Sequence, residues 1–105
     1  MHKNKQPILL SGAKPSGEIH IGNYIGAIKQ WIQLQETHET YLSIVDLHAL
    51  TEPQEPAKLR EQIITTVADY ISLGLDPAKV AIFLQSAVPE HTQLMWVLGT
   101  ITSMG

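Results

Sequence analysis

One stretch of the chain gathers the residue types that hold phosphate: Ser11-Gly12-Ala13-Lys14-Pro15-Ser16-Gly17-Glu18-Ile19-His20-Ile21-Gly22-Asn23-Tyr24. Gly12 and Gly22 have no Cβ, so backbone or a flat base can approach closely at either. His20 and Asn23 stand three apart, which on an opening helical turn directs both side chains toward one ligand. Lys14 adds a mobile cation. Where such a stretch joins a strand to a helix, the helix start presents unpaired N–H groups and partial positive charge to an anion. These residues support an anion or nucleotide site. Their glycine spacing fits neither a Walker A loop, which needs Gly-Lys-Ser/Thr, nor the dinucleotide pattern G-x-G-x-x-G.

Placing that stretch requires a strand before it and a helix after it. Ile8-Leu9-Leu10-Ser11 is an apolar run stopped by Gly12 and reads as a buried strand. Gly12 to Glu18 reads as a loop, and Ile21, Tyr24, Ile25, Ile28, Trp31 and Ile32 recur at the spacing of an amphipathic helix ending near Glu36. Tyr41 to Val45 is the second strand, followed by Asp46-Leu47-His48-Ala49-Leu50-Thr51 and a loop with Pro53 and Pro56. Leu59, Ile63, Val67, Tyr70 and Ile71 mark a second helix, with Gly74 as a left-handed stop. Val80 to Leu84 is the third buried strand, and a third helix starts near Pro89-Glu90, its apolar positions Leu94, Trp96, Val97 and Ile101. The order βαβαβα predicts an α/β fold: one half of a doubly wound parallel sheet, with helices on its faces and ligands bound beyond the carboxyl ends of its strands.

Composition narrows the classes. The 105 residues suit one compact unit, and 44% hydrophobic against 16% charged is a globular rather than a disordered balance. No run approaches the roughly 20 apolar residues of a membrane helix. The basic start from Met1 to Gln6 leads into too short an apolar run for a signal peptide. The absence of cysteine removes disulfides and thiolate chemistry and fits the cytoplasm. Seven basic and ten acidic residues give a net charge of -3, with the cations scattered, so if the protein serves a nucleic acid this portion is not its main electrostatic handle. The ending Thr100 to Gly105 looks cut rather than finished.

At the phosphate-holding stretch the chain resembles a known family. Pro15-Ser16-Gly17-x-x-His20-Ile21-Gly22-Asn23 looks like the HIGH signature of class I aminoacyl-tRNA synthetases, with Asn23 in the last position. Together with Tyr24-Ile25-Gly26-Ala27 it is similar to the bacterial tryptophanyl-tRNA synthetases. Further matches follow in register: Ile44-Val45-Asp46-x-His48-Ala49-x-Thr51, Gly74-x-Asp76-Pro77 and Gln85-Ser86-x-Val88-Pro89-Glu90-His91. Three positions depart from the pattern. Lys14 and Leu47 stand where the family often has glutamine, and Leu10 replaces a frequent phenylalanine.

The resemblance implies a Rossmann-like (HUP-type) sheet, with residues 1–105 forming the amino-terminal part of a catalytic domain. It implies an enzyme that joins L-tryptophan to ATP and passes the tryptophanyl group to tRNA(Trp), as a cytoplasmic homodimer. Gly12, Lys14, Pro15, Ser16, His20, Gly22 and Asn23 would line the ATP site, with His20 and Asn23 as catalytic hydrogen-bond donors. Leu10, Gly12, Val45 and His48 would lie on the tryptophan side. Mg²⁺ would arrive with the ATP, without a protein metal site. The KMSKS-like loop and the acidic residue that reads the indole N–H are expected beyond Gly105, so this chain alone should bind ATP weakly, select tryptophan poorly and charge little or no tRNA.

Other residues carry plainer readings. Asp46 supports the pocket, and Trp31 and Trp96 belong to a core or an interface. Tyr24, Tyr41 and Tyr70 pack, and Glu36, Glu39, Glu52 and Glu55 are solvated surface charges; His2, His38 and His91 lack metal-ligand spacing. Two rival functions stand beside the main one. A tyrosyl-tRNA synthetase has a similar signature but usually has histidine at the Asn23 position. A non-catalytic ATP-binding module would share the fold without the reaction.

Overall fold

A computed structural model describes residues 5–103; Met1 to Asn4, with His2 and most of the basic start, and Met104 and Gly105 lie outside the described residues. Three parallel strands form one sheet in the order β1-β2-β3: β1 Ile8–Ala13, β2 Glu39–Ile44 and β3 Val80–Leu84. The first ladder pairs Ile8 with Glu39 through to Ala13 with Ile44, and the second pairs Thr40 with Val80 through to Ile44 with Leu84. All three carboxyl ends therefore meet at one edge of the molecule.

The first crossover is a continuous helical stretch in three parts: α1 Ile21–Asn23, a π-helical turn Tyr24–Ile28 and α2 Lys29–Leu34. The expected helix is present, but its periodicity did not announce the π turn. That wider turn leaves the Gly26 carbonyl to accept from Gln30 Nε2 at 3.3 Å. After β2 come a short helix α3, Asp46–Ala49, and the long helix α4, Pro56–Ser72, with Pro56 at its first turn where no N–H partner is missed. Gly74 takes φ +119° just past α4, the left-handed stop its position predicts. A 3₁₀ turn, Gln85–Ala87, and helix α5, Glu90–Gly99, follow β3.

Strands in sequential order, joined by crossovers of one hand, place both crossover helices on the same side of the sheet. Ile28, Trp31, Leu42, Ile44, Tyr70, Leu75 and Val80 form the core on that side. The opposite side of β1 is open, with Leu10 63% exposed, which corrects the reading of β1 as a buried strand. Gln35 fastens the layers: its buried amide donates to the Gly74 carbonyl at 3.1 Å and accepts from Asp76 N–H at 2.9 Å. Trp31 packs edge-on against Tyr70, ring centroids 5.7 Å apart at 76°. By contrast Trp96 on α5 is 75% exposed, and Leu94, Met95 and Val97 beside it are exposed too, so Trp96 is not a core residue of this chain. Among the described residues, no helix is long and apolar enough to cross a membrane.

The two tryptophans should respond differently to truncation. Trp31→Ala is expected to cost about 3–5 kcal/mol in urea unfolding, whereas Trp96→Ala stays within about 0.5 kcal/mol. Equal losses would contradict this account of the core.

Candidate functional site

The site begins where β1 ends. A Cβ built on Gly12 would lie 3.0 Å from Val45 Cγ1, so the strand passes the start of α3 closely enough that a side chain would press on Val45. The last rung of the ladder, Val45 N–H to the Ala13 carbonyl at 2.9 Å, holds that approach. The chain then turns through Lys14-Pro15-Ser16-Gly17-Glu18-Ile19, with Pro15 buried beneath and Gly17 at φ +96°, a conformation other residues rarely adopt. Among the described residues, the N–H groups of Ser16, Gly17, Glu18 and Ile19 make no backbone hydrogen bond.

His20 is the N-cap of the helix. Its backbone is extended, φ -104° and ψ 167°, and its Nδ1 accepts from Gly22 N–H at 3.1 Å. Asn23 answers through Oδ1, which accepts from His20 N–H at 3.1 Å, completing a reciprocal cap. A Cβ on Gly22 would stand 3.0 Å from the His20 ring, so any side chain there presses the imidazole off its capping position by a few tenths of an ångström. The helix start is thus less open than its sequence suggests. Gly22 N–H is taken by the imidazole, and the N–H groups of Asn23 and Tyr24 go to the His20 carbonyl at 3.0 and 3.3 Å. The unpaired donors lie one step earlier, on the loop.

A cavity of about 520 Å³ opens beneath that loop, lined by Gly12, Lys14, Ser16, Gly17, Asn23 and Gln30 among others. At its inner end the Thr66 hydroxyl is buried and has no hydrogen-bond partner among the described residues. His20 does not line this cavity. Its ring borders a neighbouring hollow with Tyr24 and Asp69. The two hollows adjoin, sharing Glu18 and Ile19, so His20 and Asn23 border neighbouring spaces from the two ends of one cap. Gly22, Leu10, Val45 and His48 also lie off the cavity wall. Pro15 lines the adjoining hollow that holds Glu52 and Lys58.

Lys14 is not a free cation. Its Nζ lies 2.9 Å from Glu52 Oε1, on the loop after α3, and the pair is solvent-exposed. The Lys14 hydrogen bond and charge hold the Glu52 carboxyl below its usual range, with a smaller contribution from the charge of His48. The sequence placed Glu52 among solvated charges because its partner is 38 residues away. Glu36 likewise pairs with Lys79, at 2.7 Å. The Asp46 carboxylate accepts from Ser86 N–H at 3.0 Å and from the Ser86 hydroxyl, tying α3 to the turn after β3. His48 is exposed on α3, Val45 is half-buried at its start, and Leu10 points to the open side of β1. Among the described residues, no cluster of three or more His, Cys, Asp or Glu side chains is placed to hold a metal ion.

Comparison with known proteins matches this architecture to one family. The profile of the class I tRNA synthetases (W and Y) matches residues 2–105. A tryptophan–tRNA ligase of Parasynechococcus marenigrum is 44% identical over 99 residues, covering 94% of this chain and 29% of its own length. Tryptophan–tRNA ligase 2 of Streptomyces avermitilis is 46% identical, covering 95% of this chain and 30% of its own. Among solved structures, tryptophanyl-tRNA synthetase from Campylobacter jejuni complexed with ADP and tryptophan superposes at TM-score 0.85 with 43% identity, over 92% of this chain and 30% of that one. Tyrosyl-tRNA synthetase from Archaeoglobus fulgidus, complexed with L-tyrosine, gives 0.84 at 26% identity, over 96% of this chain and 33% of that one. The chain spans about 30% of the length of the tryptophan relatives.

Two substitutions probe the site without a ligand. Gly22→Ala displaces the imidazole and loses the cap, at an expected cost of about 1 kcal/mol in thermal unfolding. Asp46→Ala strips the Ser86 N–H of its acceptor and is expected to cost about 1–3 kcal/mol. A Gly22→Ala protein as stable as the wild type would remove the cap from this description.

Proposed function

Because the chain belongs to the class I tRNA synthetases of the tryptophan and tyrosine family, we propose that it is the amino-terminal part of the catalytic domain of a tryptophan–tRNA ligase. In the first step of that reaction a tryptophan carboxylate oxygen bonds to the α-phosphorus of ATP as the bond to pyrophosphate breaks. The tryptophanyl group of the resulting adenylate then passes to tRNA(Trp). No covalent nucleophile of the protein is needed; the site orients two anions and stabilises the charge that builds on the phosphate oxygens.

The observation that carries the proposal is the polarity of the reciprocal cap. Its two side-chain acceptors are occupied, His20 Nδ1 by Gly22 N–H and Asn23 Oδ1 by His20 N–H. An imidazole whose Nδ1 accepts holds its proton on Nε2 when neutral, and the Asn23 amide keeps its NH₂. Both side chains therefore present donors, Asn23 into the cavity and His20 from the hollow beside it. Ser16 and Gly17 add backbone N–H groups, and Lys14 and Gly12 border the same space. Donors without competing acceptors suit a polyphosphate.

Gly12, Lys14, Pro15, Ser16, His20, Gly22 and Asn23 form the ATP side in this reading, and Mg²⁺ comes as part of the nucleotide substrate. Leu10, Gly12, Val45 and His48 form the tryptophan side; Gly12 belongs to both because it touches Val45 while bordering the cavity. Tryptophan rather than tyrosine is favoured by identities of 32–46% to tryptophan enzymes against 26% to the tyrosine enzyme. The ADP and tryptophan held by the Campylobacter jejuni structure support the same pair of ligands. The complete enzyme acts in the cytoplasm as a homodimer, and recognition of tRNA falls to parts beyond this chain.

The test is ATP–pyrophosphate exchange by the complete enzyme, driven by tryptophan or by tyrosine. Tryptophan is expected to drive it, and Asn23→Ala to slow it about 10²- to 10³-fold, as loss of one preorganised donor does. Exchange that runs equally well on tyrosine would overturn the proposal.

A further inference from the structure

Lys14 stands at a seam. It lines the cavity beneath the loop and also a separate hollow of about 500 Å³, which it shares with Ser16, Glu52, Glu55 and Lys58. Its ammonium is drawn toward that second hollow by Glu52 Oε1 at 2.9 Å. The partners come from two loops, one leaving β1 and one following α3, so the bond also bridges the mouths of two strands. Neither end is sequestered: the side chains are 30% and 67% exposed.

We propose that Glu52 is a positioning residue that parks the Lys14 ammonium outside the ligand cavity, and that the phosphates of a bound nucleoside triphosphate take the ammonium over. The inference rests on the reading of the cavity as an ATP site. Three points of chemistry carry it. An exposed ion pair is weak and easily exchanged, because water screens both partners. A lysine ammonium is a compact charge with three donors on a flexible four-carbon stem, so it can swing between acceptors without moving the backbone. A triphosphate concentrates more negative charge than one carboxylate and outcompetes it. Once Lys14 leaves, Glu52 stands beside a polyanion with Lys58 as the other cation in its hollow and Glu55 as a further anion. Glu52 thus lowers the affinity for ATP, and it does so through Lys14.

The experiment titrates the complete enzyme with ATP and, separately, with adenosine, following the heat of binding by calorimetry. The proteins are wild type, Glu52→Gln, Glu52→Asp, Lys14→Met and the Lys14→Met/Glu52→Gln double variant. Glu52→Gln is expected to bind ATP about 2- to 5-fold more tightly, the range spanned by an exposed ion pair. Adenosine affinity stays unchanged, which separates charge competition from a change in fold, and Glu52→Asp keeps the wild-type ATP affinity. In the Lys14→Met background the gain disappears. Unchanged or weaker ATP binding by Glu52→Gln overturns the proposal, as does a gain that persists without Lys14. If the wild type binds neither ligand, the ATP-site reading itself falls; if it binds ATP and the variants show no coupling, only the role of Glu52 falls.

Discussion

The parallel ladder between β1 and β2 decides where everything else can sit. A parallel pair cannot be joined by a tight turn, so the chain must travel the length of the sheet and return, and the helical crossover from Ile21 to Leu34 is that return path. Each rung sets the next, up to Ala13 against Ile44 and the closing bond from Val45 N–H to the Ala13 carbonyl at 2.9 Å. That final contact brings Gly12 against Val45 and aligns two loops at one edge. A slip of one residue would reverse which side chains of β1 face the helices and turn Leu9, Ser11 and Ala13 outward.

Short-range grammar carried much of the fold in the letters alone. Three apolar runs, the helical spacing from Ile21 to Ile32 and the left-handed stop at Gly74 fix an α/β order, and the third strand falls on Val80–Leu84 as read. What the letters hid depends on distance or on geometry finer than periodicity. The Lys14–Glu52 and Asp46–Ser86 contacts join residues 38 and 40 apart, with no local signal. The π turn at Tyr24–Ile28 keeps apolar spacing close enough to an α-helix to escape notice. Leu10 read as buried because apolar runs predict buried strands, yet burial needs a covering layer, and among the described residues nothing covers that side of β1.

The candidate site shows the same division. The types and spacing of Gly12, Lys14, His20, Gly22 and Asn23 predict an anion-binding turn, and the structure adds the direction of the cap's hydrogen bonds. Because His20 is a cap and not a helical residue, its ring folds back over Gly22 N–H in place of lying beside Asn23. The consequence is chemical: acceptors are consumed locally, and donors remain. Glu52 meanwhile holds Lys14 by a 2.9 Å hydrogen bond, so the loop after β1 is tied to the loop after α3.

Helix α5 carries a different consequence. Leu94, Met95, Trp96, Val97 and Leu98 expose greasy side chains all round this helix to solvent. The aversion of such a surface to water persists on warming while cooling relaxes it. Stickiness, and with it the solubility ceiling of the isolated chain, should accordingly be governed by temperature and by excluded salts more than by pH, since these side chains have no charge to titrate.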